Sequence, residues 1–154
     1  MCNRLVGERI VGLIKQILVP SDFSETSERA LEFAMKLAHD TQATLHLLNV
    51  DDDPVLNSPT TSEQFRDKYE DKLATILASL LDDDSRHELT PTYSIRRGDA
   101  AVEIVNYANE NEIDLIVMGG KGRSAIADIL LGSVASKVLH TATCPVVHIP
   151  FPKS

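Results

Sequence analysis

The chain of 154 residues has the length of one ordinary domain. Its 43% of hydrophobic and 25% of charged residues are typical of a folded globular protein, and no apolar run reaches the roughly 20 residues of a membrane span. Fifteen basic against 23 acidic residues give a net charge of −8, which argues against a nucleic-acid-binding protein, since such a protein needs a basic face.

The first third of the chain predicts a strand, a helix and a second strand. Residues 15–20 are mostly apolar and end in a proline, as is typical of a short buried strand. Ser24 is a good N-cap, and apolar residues then recur at helical spacing. Residues 43–50 predict the second strand, and residues 51–61, with two prolines and three consecutive aspartates, predict a loop.

The next segment predicts a long helix and a third strand. Ser62 can cap the helix, and three aspartates at 82–84 are expected to end it, in a place that is unfavourable for the helix dipole. One face carries an apolar stripe that predicts burial: Phe65, Tyr69, Leu73, Ile76, Leu77 and Leu80. Residues 92–96 predict the third strand, and Gly98-Asp99 predicts a turn and the cap of a further helix.

The last third predicts two more strands and the end of the fold. The most continuous apolar run, residues 113–118, predicts the fourth strand. A glycine-rich loop follows at 119–124, and then a short helical stretch near 125–130. Ser133 opens the last helix, and residues 145–149 predict the fifth strand.

This alternation of strands and helices predicts the α/β class, a three-layer sandwich with a five-stranded parallel sheet between helices. With the first strand central and flanked by the second and fourth, the strand order is 3-2-1-4-5. Ligands of such sheets bind beyond the carboxyl ends of the strands, where the order reverses. The loops at 20–22 and 119–123 then border the expected site. We expect residues 15–154 to form a single domain, because no boundary is visible within them, and residues 1–14 to be an N-terminal extension.

The glycines of the last third follow a pattern that suits phosphate binding. Gly119, Gly122 and Gly132-Ser133 have the spacing G-x2-G-x9-G-S. Glycine lets backbone N–H groups approach an anion, and Gly132-Ser133 enters the N-terminus of a helix, which attracts negative charge. Lys121 and Arg123 add positive charge. The alternative is that glycines after a buried strand only form a turn.

Two better-known nucleotide motifs are absent. The chain has no P-loop motif, and the turn after the first strand has no G-x-G-x-x-G, so binding of NAD or FAD is disfavoured. Asp22 in that turn can accept a hydrogen bond from a ribose hydroxyl or a base amine, or cap the helix, or do both.

Four segments together resemble the universal stress protein family in its ATP-binding subgroup, over about residues 15–150. They are residues 17–24, 47–50, 117–124 with 131–139, and 144–147. The resemblance implies a Rossmann-like fold that binds ATP, or ADP or AMP, with Mg or Mn beside the nucleotide. It implies that Pro20, Asp22 and Val50 line the adenosine pocket with Ser21 in the same loop, that Met118 and Gly119 lie beside the ribose, and that the phosphates meet Gly122, Arg123, Gly132, Ser133 and Val134.

The chain departs from that family at three positions. Members often have Ser or Thr and then His where this chain has Gly120 and Lys121, and His is common where Asn49 stands. The lysine can strengthen phosphate binding, whereas the glycine removes a hydroxyl.

Other candidate residues favour structural interpretations. The aspartates at 51–53 can attract magnesium, but a solvated loop is the simpler interpretation. The five histidines show no metal-ligand spacing, and His46 and His148 are expected to be structural. Cys144 is interpreted as a packed small residue. Neither a nucleophile elbow nor an acid/base pair is present, so no catalytic residue is predicted.

The leading hypothesis is an ATP-binding stress-response regulator. The alternatives are a slow ATPase or nucleotide hydrolase that uses Mg with Asp22 or the aspartate loop, and a nucleotide-free dimeric scaffold. A homodimer through the edge strand at 145–150 is expected, because an unpaired edge needs protection. The two cysteines are too few for a disulfide framework or a zinc site, so a cytoplasmic location is expected.

Overall fold

The computed structural model describes residues 12–120 and 131–151, which form five strands and five helices, with one helix after each of the first four strands except the second, which is followed by two. The strands are β1 (Gln16–Pro20), β2 (Thr44–Asp51), β3 (Thr92–Arg97), β4 (Leu115–Gly119) and β5 (Val146–Ile149). The helices are α1 (Glu25–Thr41), α2 (Glu63–Ala78), α3 (Asp83–Leu89), α4 (Ala100–Glu110) and α5 (Ser133–Thr141). None of the helices in this described part is long and apolar enough to cross a bilayer.

All five strands are parallel, and their order is β3-β2-β1-β4-β5, as predicted. Strand β1 is central, with Ile17 opposite both Leu45 and Leu115. The central strands consist of nearly continuous apolar residues because helices cover both faces of the sheet. Odd-numbered residues such as Val19 and Leu47 join the core under α1, and even-numbered residues such as Leu18 join the core under α4 and α5.

Side-chain caps begin four of the five described helices. The carboxylate or hydroxyl oxygens of Ser24, Ser62, Asp82 and Asp99 each accept a hydrogen bond from the N–H group three residues on. Such caps satisfy donors that have no carbonyl partner within the helix. The predicted caps at Ser24, Ser62 and Asp99 are therefore confirmed.

The prediction for the aspartates at 82–84 was wrong. Helix α2 already ends at Ala78, and Asp82 is the N-cap of a separate short helix, α3, with its carboxylate accepting from the Ser85 N–H at 2.7 Å. Acidic residues at the start of a helix face the positive end of its dipole. The same charges that were judged unfavourable therefore stabilise this chain segment.

The predicted apolar stripe of α2 is only partly buried. Leu73 and Leu77 are buried, whereas Phe65 is 56% exposed and Ile76 is 37% exposed. Helix α2 lies against β2 and the edge strand β3, so the sheet covers only a narrow strip of its surface. Part of the uncovered side borders the cleft described below.

Candidate functional site

The loops after β1 and β2, the end of β4 and the start of α5 surround a cleft of about 860 Å³. This is the crevice that the strand order predicts, and its size lies in the range of small-molecule pockets. Nine of the residues predicted for the site line it: Pro20, Ser21, Asp22, Val50, Met118, Gly119, Gly132, Ser133 and Val134. The other two, Gly122 and Arg123, and the predicted helical stretch at 125–130, lie outside the described residues.

The loop after β1 is fixed by hydrogen bonds to strand β2 and to its own backbone. The Ser21 N–H donates to the Leu48 carbonyl at 2.8 Å, and the Asp22 carboxylate accepts from the Ser24 N–H at 3.0 Å. Phe23 adopts φ 64°, in the left-handed region that is rare for an aromatic residue. The loop is therefore held in one sharp turn, and Asp22 both supports the helix cap and borders the cleft.

The backbone of Val50 is directed into the crevice. Leu48 accepts from Ser21 on the β1 side of the strand, and the Asp51 carbonyl accepts from the Gly98 N–H on the β3 side at 3.1 Å. Because successive residues of a strand alternate in direction, the N–H and C=O of Val50 face the β1 side. The pairing of β1 with β2 ends at Pro20 and Leu48, two residues before Val50.

The end of β4 approaches α1 closely at a glycine. A β-carbon built on Gly119 would lie 2.7 Å from the Thr26 carbonyl carbon and 2.8 Å from the Thr26 Cβ. Ordinary Cβ contacts are longer than 3.4 Å, so a side chain at this position would displace the start of the helix. Close packing against α1 therefore requires glycine at position 119, apart from any role of this residue in the cleft.

The helix that begins at the cleft differs from the other four. Gly132 is the N-cap of α5, and no side chain caps this end. The first turn holds no acidic residue, whereas α1, α2, α3 and α4 each carry at least one there. The first helical bond joins the Ser136 N–H to the Gly132 carbonyl, so the N–H groups of Ser133 to Ala135 precede the intrahelical ladder.

Sequence reasoning missed the wall that α2 and the end of β2 supply. Tyr69, Lys72 and Ile76 line the cleft from α2, and Asp51 lines it from β2. Asp51 was assigned to a solvated loop, yet it is only 8% exposed, and its Oδ2 has no hydrogen-bond partner within the described part of the chain. The available sequence signal was the apolar stripe of α2, which includes Tyr69 and Ile76, but the whole stripe was interpreted as core.

The described lining is acidic rather than basic. It contains four aspartates and one lysine: Asp22, Asp51, Asp52, Asp53 and Lys72. An anion in this part of the cleft would therefore depend on backbone N–H groups rather than on cationic side chains. Within residues 12–120 and 131–151, no group of three His, Cys, Asp or Glu residues is arranged to hold a metal ion.

Two of the structural interpretations are supported by the environment of the side chains. His46 is buried and bonded through both ring nitrogens, and burial lowers its pKa. Cys144 is half-buried beside the core under α5, and burial raises the pKa of its thiol, which disfavours the reactive thiolate.

Comparison with known proteins gives one family. The model of the universal stress protein family matches residues 13–150. The chain is 30% identical to the universal stress protein MJ0531 of Methanocaldococcus jannaschii, over 92% of this chain and 85% of that protein. It is 29% identical to the universal stress protein YxiE of Bacillus subtilis, over 88% and 98% of the two chains.

Solved structures share the fold as well. The MJ0577 protein of M. jannaschii superposes with a TM-score of 0.70 at 29% identity, over 92% of this chain and 99% of that chain. A universal stress protein in complex with cAMP gives 0.65 at 21% identity, and one from Archaeoglobus fulgidus in complex with dAMP gives 0.60 at 22%. Both alignments cover 89% of this chain, and they cover 97% of the chain solved with cAMP and 98% of the chain solved with dAMP. At these identities the two structures show the shared fold alone.

Proposed function

Because this chain belongs to the universal stress protein family, we propose that it binds an adenine nucleotide, ATP foremost, in the cleft at the carboxyl end of the sheet. Through binding of the nucleotide in this cleft, the protein would act as a nucleotide-dependent regulator of a cytoplasmic stress response. The observation that carries the proposal is the convergence of nine predicted site residues on one cleft of about 860 Å³. Proteins of this fold solved with cAMP and dAMP hold ligands of the same class.

The adenosine end of the proposed complex lies between the ends of β1 and β2. The backbone N–H and C=O of Val50 face this crevice, and such fixed groups can recognise the edge of an adenine ring. Pro20 supplies an apolar wall, and the Asp22 carboxylate can accept a hydrogen bond from a ribose hydroxyl. A guanine base would present a different pattern of donors and acceptors at the same backbone groups, so GTP should bind more weakly.

The phosphate end lies at the start of α5. The N–H groups of Ser133, Val134 and Ala135 and the positive end of the helix dipole face a cleft that no acidic cap neutralises. Met118 and Gly119 would lie beside the ribose. Gly122 and Arg123 remain part of the proposal on the basis of sequence. A Mg or Mn ion would accompany the phosphates, with the nearby aspartates favouring its charge.

The test of this proposal is Gly132→Asp. Gly132 has φ −67° and ψ 161°, which any residue adopts, and aspartate is among the best N-cap residues, so the fold should survive. The carboxylate would repel phosphate at the helix N-terminus. At 100 times Kd, ATP with Mg should raise the Tm of the wild type by about 5–10 °C. The variant should show little of this rise.

The matched control is Ser62→Asp, which places the same carboxylate at the N-cap of α2, outside the cleft lining. It should retain the full ATP-dependent rise in Tm. An equal rise in the wild type and Gly132→Asp would contradict the proposal. Mass spectrometry of the ligand released from freshly purified protein identifies the nucleotide, and phosphate release measured over hours separates binding from turnover.

The same proposal includes a homodimer through β5. In the described sheet this strand pairs only with β4, so its outer edge offers unpaired backbone groups. Exposed apolar side chains lie close by in sequence, with Leu139 at 40% and Phe151 at 49% exposure. Pairing with the same strand of a second chain around a two-fold axis would protect this edge.

A further inference from the structure

We propose that His148 is a positioning residue for the phosphate end of the cleft and that it acts through Gly120. The inference rests on the proposed nucleotide binding and adds a residue of the edge strand to it. His148 does not line the cleft, whereas Gly120 does. The effect of His148 on a ligand must therefore pass through the backbone of that glycine.

The imidazole ring of His148 fills the space that a side chain at position 120 would need. A β-carbon built on Gly120 would lie 1.7 Å from Nε2 of His148, 2.6 Å from Cδ2 and 2.8 Å from Cε1. All three contacts are with the ring, so the ring lies directly against the glycine Cα. The φ angle of Gly120 is outside the left-handed region, so it is this ring, not the backbone conformation, that excludes a side chain.

Hydrogen bonding at Nε2 does not explain the position of the ring. This nitrogen of His148 is buried and has no hydrogen-bond partner among the residues that the structure describes. A buried nitrogen without a partner is unfavourable, and such groups are few in folded proteins. The ring instead acts by occupying space. His148 lies in β5 opposite Met118 in the strand register, and its ring packs against Gly120.

Gly120 in turn connects the edge strand to the start of α5. Its N–H donates to the Ile149 carbonyl at 3.0 Å, and its own carbonyl accepts from the N–H of Gly132, the N-cap of α5. The contacts therefore run from His148 to Gly120, from Gly120 to Gly132, and from there to the N–H groups proposed to hold phosphate. A shift of Gly120 would move these donors and leave the adenosine end in place.

The test compares ATP with adenosine by calorimetric titration of the wild type and His148→Ala. Loss of one well-placed hydrogen bond to a charged group corresponds to about tenfold in affinity. His148→Ala should therefore weaken ATP about tenfold and change adenosine by less than about twofold. The control is Val146→Ala, which removes packing from the same face of β5 without touching Gly120 and should leave the ratio of the two affinities unchanged.

A second pair of variants tests the contact itself. Gly120→Ala should lower the Tm by about 3–10 °C, because the added methyl group meets the imidazole ring. Gly120→Ala combined with His148→Ala should recover most of that loss. Additive effects, or an unchanged affinity ratio in His148→Ala, would overturn the inference. A wild type that binds neither ATP nor adenosine would instead refute the proposed function.

Discussion

At the scale of single residues, the glycines near the cleft serve different purposes. Gly119 allows the backbone of α1 to approach β4, and Gly120 makes room for a side chain of β5. Gly132 begins α5 without adding a capping oxygen. Glycines that lie close together in this part of the sequence therefore meet separate local requirements: packing against a neighbouring side chain or backbone at 119 and 120, and the start of a helix at 132.

Gly119→Ala should destabilise the fold by about 1–3 kcal/mol, the usual cost of forcing a methyl group into a packed site. The added atom would meet the Thr26 carbonyl carbon, which belongs to the backbone and cannot be trimmed away. Urea denaturation of Gly119→Ala, alone and combined with Thr26→Ala, measures this against Thr26→Ala by itself. Thr26→Ala removes Oγ1, which lies 2.8 Å from the added atom, but leaves the carbonyl carbon and Cβ in place, so the combined variant should recover little. Recovery as full as that expected for the pair at Gly120 and His148 would show that the hydroxyl, and not the backbone, causes the crowding.

At the scale of elements, a buried polar network connects three strands and a helix. His46 of β2 meets the Tyr107 hydroxyl at 2.9 Å and the Gln16 side-chain oxygen at 2.7 Å. Because the Gln16 oxygen only accepts, Nε2 carries the proton and Nδ1 accepts from Tyr107. Arg96 of β3 lies 4.9 Å from the centre of the Tyr107 ring and completes the network. Burial of the imidazole favours a neutral His46.

The stability of the fold should therefore fall in mild acid. Burial lowers the pKa of His46 below its ordinary value near 6.5, so the unfolded chain binds a proton there more readily than the folded chain does. The contribution of His46 is complete above about pH 6.5 and is lost as the pH falls below that value. The free energy of unfolding, measured by urea denaturation between pH 7.5 and 5.5, should drop less steeply in His46→Gln.

The control for this measurement is His87→Gln, which removes an exposed histidine at the surface of α3. Its unfolding free energy should follow the pH dependence of the wild type. A pH slope in His46→Gln as steep as that of the wild type would show that other groups, the carboxylates above all, account for the acid sensitivity.

At the scale of the whole molecule, strand β5 forms the open edge of the sheet and also contacts a residue that lines the cleft. The Pro145 carbonyl accepts from the Ile116 N–H of β4, and the Ile149 carbonyl accepts from the Gly120 N–H just after β4, at 3.0 Å each. Because residues alternate along a strand, the backbone groups of Val146 and His148 face away from β4, toward the open edge. The side chain of His148 at the same time supports Gly120 beside the cleft. Dimer formation and nucleotide binding would thus share one strand.

Val146→Pro should convert the expected dimer into a monomer. Proline removes the N–H of residue 146, which faces the open edge, and leaves the bonds to β4 intact. Light scattering should report twice the chain mass of 16.9 kDa for the wild type and a single chain mass for the variant. Val146→Ala keeps the N–H and should remain dimeric. A wild type that stays monomeric at all concentrations would show that β5 is not the interface.

The sequence by itself determined the class of the fold, the strand order and the place of the cleft. Apolar runs of strand length, helical spacing and capping residues are local signals, and the parallel βαβ connection leaves few arrangements for them. The tertiary structure decided what depends on neighbours far apart in the chain. It placed Tyr69 and Lys72 in the cleft wall, buried Asp51, and set His148 against Gly120. No local pattern encodes those contacts, because they arise only when separate elements pack together.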